Sequence, residues 1–156
     1  MSQENLSAAD RRPVAPALER AAKTSGPAVA IELNDGTIIT GKTGDLLGAS
    51  AAALMNSLKY LADIPHEVKV LSPESLSPIQ TLKTKYLGSK NPRLHTDEML
   101  IALSSNAAVN KEAFQVLQQL SKLSGSQVHS SVILSSQDKK IFKKLKCDVT
   151  NEPKSK

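Results

Sequence analysis

A layered α/β (or α+β) domain, with an N-terminal β-hairpin, crossover helices and a C-terminal β-α-β unit, is what this sequence predicts. Three observations carry that expectation. Asn34-Asp35-Gly36 separates two strand-like runs, and these residue types tolerate the positive φ of a tight hairpin turn. Apolar positions at helical spacing recur through the middle of the chain, beginning with a stripe from Leu47 to Leu61. Near the end, the alternating run Val128 to Leu134 is followed by an amphipathic helix and a last strand-like stretch. Such a unit pairs its strands in parallel through a right-handed connection.

In chain order, Met1 to Arg12 is polar and reads as a disordered tail, residues 13–150 as one domain, and residues 151–156 as a disordered basic tail. Pro13 to Thr24 forms a short helix with Ala17, Leu18 and Ala21 on one face. Ala28 to Leu33 and Thr37 to Thr40 are the hairpin strands. Asp45 is placed to cap a helix running to about Ala62, whose Leu47, Ala51, Leu54, Met55, Leu58 and Leu61 share a face. The run of small residues from Gly48 to Ala53 permits close packing. Val68 to Leu71 alternates as a short strand, and Pro73 to Leu87 follows as a helix. Gly88 to His95 is a polar loop. Thr96 caps a helix over Asp97 to Ala108, with Asp97 and Glu98 in the first turn, where acidic groups complement the helix dipole. Asn110 opens a helix bearing Phe114, Leu117 and Leu120, stopped by Gly125. Ser136 caps the next helix, and Lys146 to Thr150 forms the last strand.

Length and composition bound the function. The chain has 156 residues, 40% of them hydrophobic, enough for one core. No apolar run approaches the ~18–20 residues that span a bilayer, and the N-terminus lacks an apolar signal core, so a cytoplasmic setting is expected. The single cysteine, Cys147, and three scattered histidines make no metal site. There is no tryptophan and only four other aromatics, which disfavours nucleic-acid binding by base stacking. The net charge of +5 lies wholly beyond Asp138, where seven lysines face two acids, whereas residues 1–138 hold 13 basic and 13 acidic side chains. The helix there keeps Ile141, Phe142 and Leu145 on one side, so its lysines read as a solvated face rather than a phosphate-contacting patch.

Gly36 to Thr43 reads GTIITGKT, a literal match to the phosphate-loop pattern. Its four intervening residues are all β-branched, poorly suited to the positive-φ turns of an anion nest and well suited to a hairpin strand. ATP is therefore not expected to bind through Lys42. A weaker reading survives, in which Gly41, Lys42 and Thr43 lie close before a helix start and bind a phosphate or carboxylate. The densest cluster of chemically capable side chains is Ser89, Lys90, Asn91, Arg93, His95, Thr96 and Asp97. Arg93 and Lys90 suit an oxyanion, and His95 beside Asp97 suits proton transfer. The plainer reading is a polar loop whose last residues cap a helix. His129 reads as a hydrogen-bonded strand histidine, and Cys147 as a small buried residue.

The stretches AIELNDGTIITGKTGDLLGASAAALMNSLKYLA, LKTKYLGSKNPRLHTDEMLIALSSNAA and QVHSSVILSSQDKKIFKKL resemble the C-terminal region of "domain of unknown function 1846". The resemblance runs from about Pro13 to Pro153, and GSKNPRLHTDE is its most specific piece. It implies proteins several times longer, with a glycine-rich GSGK stretch in an N-terminal portion that these residues do not include. The family usually has Ser at the position of Gly44, often Cys at those of Ser126 and Asn151, and Gly at that of Lys146. It supplies no established reaction and leaves the cofactor open.

Two function classes follow. The first is a domain that binds an anionic small molecule or completes a site with a partner, either a polypeptide equivalent to the family's N-terminal region or a second copy. The second is a small enzyme acting on a phosphorylated or carboxylated metabolite, with Lys90 and Arg93 as anion clamps and His95 and Asp97 as acid/base pair. If the Gly41–Asp45 and Gly88–Asp97 segments meet at one sheet edge, Lys42, Lys90 and Arg93 surround one anion.

Overall fold

The computed structural model describes residues 12–24 and 26–153. Its elements are α1 (Val14–Thr24), β1 (Ala28–Glu32), β2 (Ile38–Lys42), α2 (Ala49–Leu61), α3 (Pro73–Thr81), α4 (Thr96–Asn106), α5 (Lys111–Leu117), β3 (Gln127–Ser130), α6 (Ser136–Lys144) and β4 (Asp148–Asn151). The four strands form one mixed sheet in the order β2-β1-β3-β4. β1 lies antiparallel to both β2 and β3, and β3 and β4 pair in parallel, as the C-terminal β-α-β reading requires. The α/β class thus follows from a hairpin extended by one crossover unit.

The hairpin forms where the turn residues place it. Gly36 takes φ 88°, its N–H donates to the Leu33 carbonyl, and the Leu33 N–H donates to Thr37. The phosphate-loop lookalike is therefore strand: Ile38 to Lys42 pairs with β1 from Glu32 back to Ala28. Gly41 serves packing. A β-carbon there would stand 2.2 Å from the Ala53 nitrogen, so α2 lies directly on β2 along its run of small residues. Leu54 and Leu58 of α2 are fully buried with Val29, Ile31, Val128 and Phe142 in the core.

Several boundaries differ from the sequence reading. Arg12, assigned to the tail, pairs with Glu32 at 2.7 Å and donates to the Gly36 carbonyl; residues 1–11 lie outside the described residues. Asp45 caps nothing. Leu47 instead forms a parallel bridge with Leu94, and α2 begins after Gly48, whose N–H donates to the Leu94 carbonyl. Val68 to Leu71 is not a strand. Val70 and Leu71 are buried, but Lys59 Nζ and Asn110 Nδ2 take the carbonyls of Val68 and Val70, leaving no ladder to extend. The helix that begins at Pro73 widens at its end into a π-helical turn over Leu82–Tyr86, where the Leu87 N–H donates five residues back to the Leu82 carbonyl. α5 stops at Leu117 and a 3₁₀ turn, Leu120–Leu123, completes the segment, with Phe114 half exposed. β3 ends at Ser130, whose hydroxyl accepts the Val132 N–H and turns the chain away. The tail boundary at residue 151 falls inside β4: the Glu152 N–H donates to the Ser130 carbonyl and its carboxylate lies 2.8 Å from His129 Nε2.

Lys146 adopts φ 62°, the left-handed region that favours glycine. An L-residue there costs roughly 1–2 kcal/mol, part of which glycine gives back as unfolded-chain entropy. Lys146→Gly is therefore expected to stabilise the fold by about 1 kcal/mol and raise the melting temperature by roughly 2–4 °C. Thermal unfolding checks this; an unchanged or lower midpoint would refute it.

Candidate functional site

The site starts from a backbone fact: the loops before α2 and α4 are stitched together. The Leu94 N–H donates to Leu46, the Gly48 N–H donates to Leu94, and Arg93 Nε donates to the Gly44 carbonyl. The starts of α2 and α4 thereby lie side by side, and α6 joins them through Asp138. This carboxylate, only 8% exposed, accepts both the Thr96 N–H at 2.9 Å and the Thr96 hydroxyl at 2.7 Å. Ser135, the cap of α6, accepts the Asp138 N–H. Three helix N-termini thus converge beside the ends of β1 and β3.

Between them is a cavity of about 400 Å³. Thr43 and Ser50 line it from the α2 side, Lys90, Asn91, Arg93 and His95 from the α4 loop, and Ser130, Ser135 and Asp138 from the C-terminal unit. The amides of Ala49, Ser50 and Ala51 belong to the first turn of α2, where no carbonyl of the helix itself can accept them. Ser50 is 4% exposed and stands in that first turn, on the cavity wall.

Not every expected residue arrives. Gly41 is buried under α2, and Lys42 is exposed at the end of β2, outside the cavity lining. Ser89 braces the loop, its hydroxyl accepting the Asn91 N–H. Thr96 is the first residue of α4 rather than its cap, and its fully buried hydroxyl is spent on Asp138. The cap is His95, whose N–H donates to Glu98 Oε1 at 2.8 Å, with ring Nδ1 3.1 Å from the same oxygen. Asp97 turns to the Glu98 amide. The His95 ring therefore meets Glu98, three residues on, instead of Asp97, and the acid/base pair read from adjacency does not form.

Two residues outside the expected site hold its loop: Glu98, read from the sequence only as a first-turn acid, and Lys83, which the sequence reading passed over. Lys83, 6% exposed in the π-helical turn, donates to the Arg93 carbonyl and to Glu98 Oε1 at 2.8 Å, so it pins the loop from beneath. Glu98 stands at the third helical position, where it closes a capping box on His95 rather than on the usual Ser or Thr, so the sequence pattern does not announce it. Lys83 leaves no signal either, because its partner lies across a loop. Cys147 is buried, and burial pushes its thiol up to about 11, which makes it inert as a nucleophile. His129 is fully buried between Thr150 and Glu152, the structural role expected of it. Among the described residues, no three His, Cys, Asp or Glu side chains cluster as a metal site, and no helix is long and apolar enough to cross a membrane.

The profile of the C-terminal part of the domain of unknown function DUF1846 matches residues 9–156. The chain belongs to that family. A UPF0371 protein of Corynebacterium aurimucosum is 55% identical over 153 residues, covering 98% of this chain and 31% of its own length. Another, from Corynebacterium efficiens, is 56% identical over 154 residues, with 99% and 31% covered. One from Streptococcus pneumoniae is 46% identical over 153 residues, again covering 98% and 31%. This DUF1846 C-terminal domain therefore spans about a third of the relatives it matches.

The loop's ionic anchor has a pH signature in this domain. Burial opposes the charge on Glu98, but the His95 N–H, the Lys83 ammonium and the His95 ring together hold its carboxyl below the ordinary value of 4.5. A carboxyl lowered on folding stabilises above its unfolded value, and that stability is lost as pH falls through the folded one. The wild type is expected to be the more stable protein above about pH 5, with its advantage over Glu98→Gln shrinking steadily in more acidic solution. Denaturant unfolding across pH 3–7 checks this, and parallel profiles for the two proteins would refute it.

Proposed function

We propose that this domain binds an anionic small molecule in the cavity where α2, α4 and α6 begin. One observation carries the reading: Gly48, Ala49 and buried Ser50, at the start of α2, line the same cavity as Lys90, Arg93 and His95. Amides at a helix start together with a guanidinium supply directed donors and positive potential, the combination that holds phosphate or carboxylate oxygens. Asp138 also lines the cavity as a carboxylate, its Oδ1 taken up by both hydrogen bonds from Thr96, so the anion is held on the opposite side, by Arg93, Lys90 and the start of α2. The cavity is of a size that suits a metabolite. The reading is binding rather than turnover, since His95 is committed to Glu98.

Calorimetric titration with inorganic phosphate, pyrophosphate and citrate tests it. Saturable binding of at least one, weakened about tenfold or more by Arg93→Ala and unaffected by Lys42→Ala, is the expected result. Absence of binding by all three, or binding that Lys42→Ala abolishes, would overturn it.

A further inference from the structure

A second cavity, of about 460 Å³, lies on the opposite flank of the sheet's hairpin, between α1, β2 and α2. β2 is an edge strand, and its register leaves the backbone groups of Ile38 and Thr40 pointing away from β1. Asn56 Nδ2 covers the Thr40 carbonyl from α2. The cavity floor is therefore apolar side chain and capped strand edge, with Ile38, Ile39 and Ile64 as its greasy walls.

Its polar equipment is one-sided. Arg20 reaches it from α1, half-buried, with a Nε that is shielded from solvent and has no hydrogen-bond partner among the described residues. A buried guanidinium nitrogen without an acceptor is a group whose partner is missing. Lys59 reaches it from α2, 7% exposed, and donates to the carbonyls of His66 and Val68. An ammonium has three donors, so one remains unspent. Burial lowers the pKa of Lys59, with Glu67 nearby acting in the other direction. Among the described residues, no aspartate or glutamate lines the cavity; Asp35 accepts from the Tyr60 hydroxyl at the rim, 2.9 Å away. The first cavity includes Asp138 and is walled by serines and helix amides, so the two differ in chemistry as well as place.

We propose that this second cavity is a binding site for a small organic carboxylate with an apolar body. The carboxylate takes the Arg20 guanidinium, which presents two parallel donors, while the body lies against Ile38, Ile39 and Ile64. Inorganic anions fit poorly, since they leave the apolar walls wet. This site stands independently of the anion cavity at the helix starts.

NMR titration of the full chain with hexanoate, hexanol and inorganic phosphate tests it, read at the Arg20 Nε–H and at the amides of Ile38 to Thr40. The expected result is a saturable shift of these resonances by hexanoate, at least tenfold weaker in Arg20→Gln and unchanged in Arg93→Ala. Ile64→Glu, which leaves Arg20 in place and makes the wall acidic, is expected to abolish it as well. Equal response to hexanol, equal response to phosphate, or binding that survives Arg20→Gln in a folded protein would each overturn the proposal.

Discussion

Gly41→Ala is expected to be the most damaging single methyl this domain can receive. The new β-carbon would stand 2.2 Å from the Ala53 nitrogen, 2.6 Å from its Cα and 2.7 Å from the Ala52 carbonyl carbon. All three are backbone atoms in the middle of α2, so no rotamer change relieves the overlap; the helix itself must lift from β2. That lift opens the core around Leu54 and Leu58, both fully buried. Overpacking of this kind costs about 3 kcal/mol or more, a large part of the ~5–15 kcal/mol that holds a domain together. A melting temperature lower by roughly 6–12 °C, or failure to fold, is the expected outcome. A variant melting within about 2 °C of the wild type would show that α2 rides more loosely on the sheet than its close approach implies.

Asp138→Ala comes next. It strips the acceptor from the Thr96 N–H and hydroxyl, on a residue that is fully buried, and water cannot replace what is lost. Hydrogen bonds to a charged acceptor are worth about 1.5–3 kcal/mol each, and the two share one oxygen, so a loss of about 3 kcal/mol is expected. The damage should be local in character: α4 and α6 lose their common anchor, and hydrogen exchange should quicken at the start of both. Asp138→Asn, which keeps the carbonyl oxygen, should recover much of the loss. Equal destabilisation by the two substitutions would place the effect in charge instead of hydrogen bonding.

The architecture was legible because its signals are local. Asn34-Asp35-Gly36 dictates a turn whatever surrounds it, and the stripe from Leu47 to Leu61 has one period only. What misled were positions where a distant group overrides a local preference. Asp45 looks like a cap until Leu94 pulls Leu46 and Leu47 into an extended bridge. Val68 to Leu71 alternates like a strand, but side chains of Lys59 and Asn110 claim its carbonyls. At the candidate site the loop from Lys90 to His95 was legible as chemistry, whereas its partners were not: Asp138 and Ser50 reach the same cavity from other elements, and nothing in a linear reading brings them there. Lys146 and Ser126, two positions where the resembling family carries other residues, make a related point. One holds a left-handed backbone with a bulky side chain, and the other buries a hydroxyl with no partner. Glycine and cysteine would fit those places without such costs.

The sheet order sets a timetable for synthesis. β1 occupies a central position, yet its two neighbours leave the ribosome far apart: β2 follows at once through the hairpin, while the Ala28–Ser131 contact with the start of the C-terminal unit spans 103 residues. The hairpin closes within microseconds of emergence. At translation rates of about 5–20 residues per second, the partner strand is made some 5–20 s later. For that interval the apolar run AVAIE has one edge paired and one edge open, the state in which nascent strands recruit wrong partners. The closing of β3 onto β1 is consequently the step at which a nascent copy of this domain becomes safe from its neighbours on the same polysome.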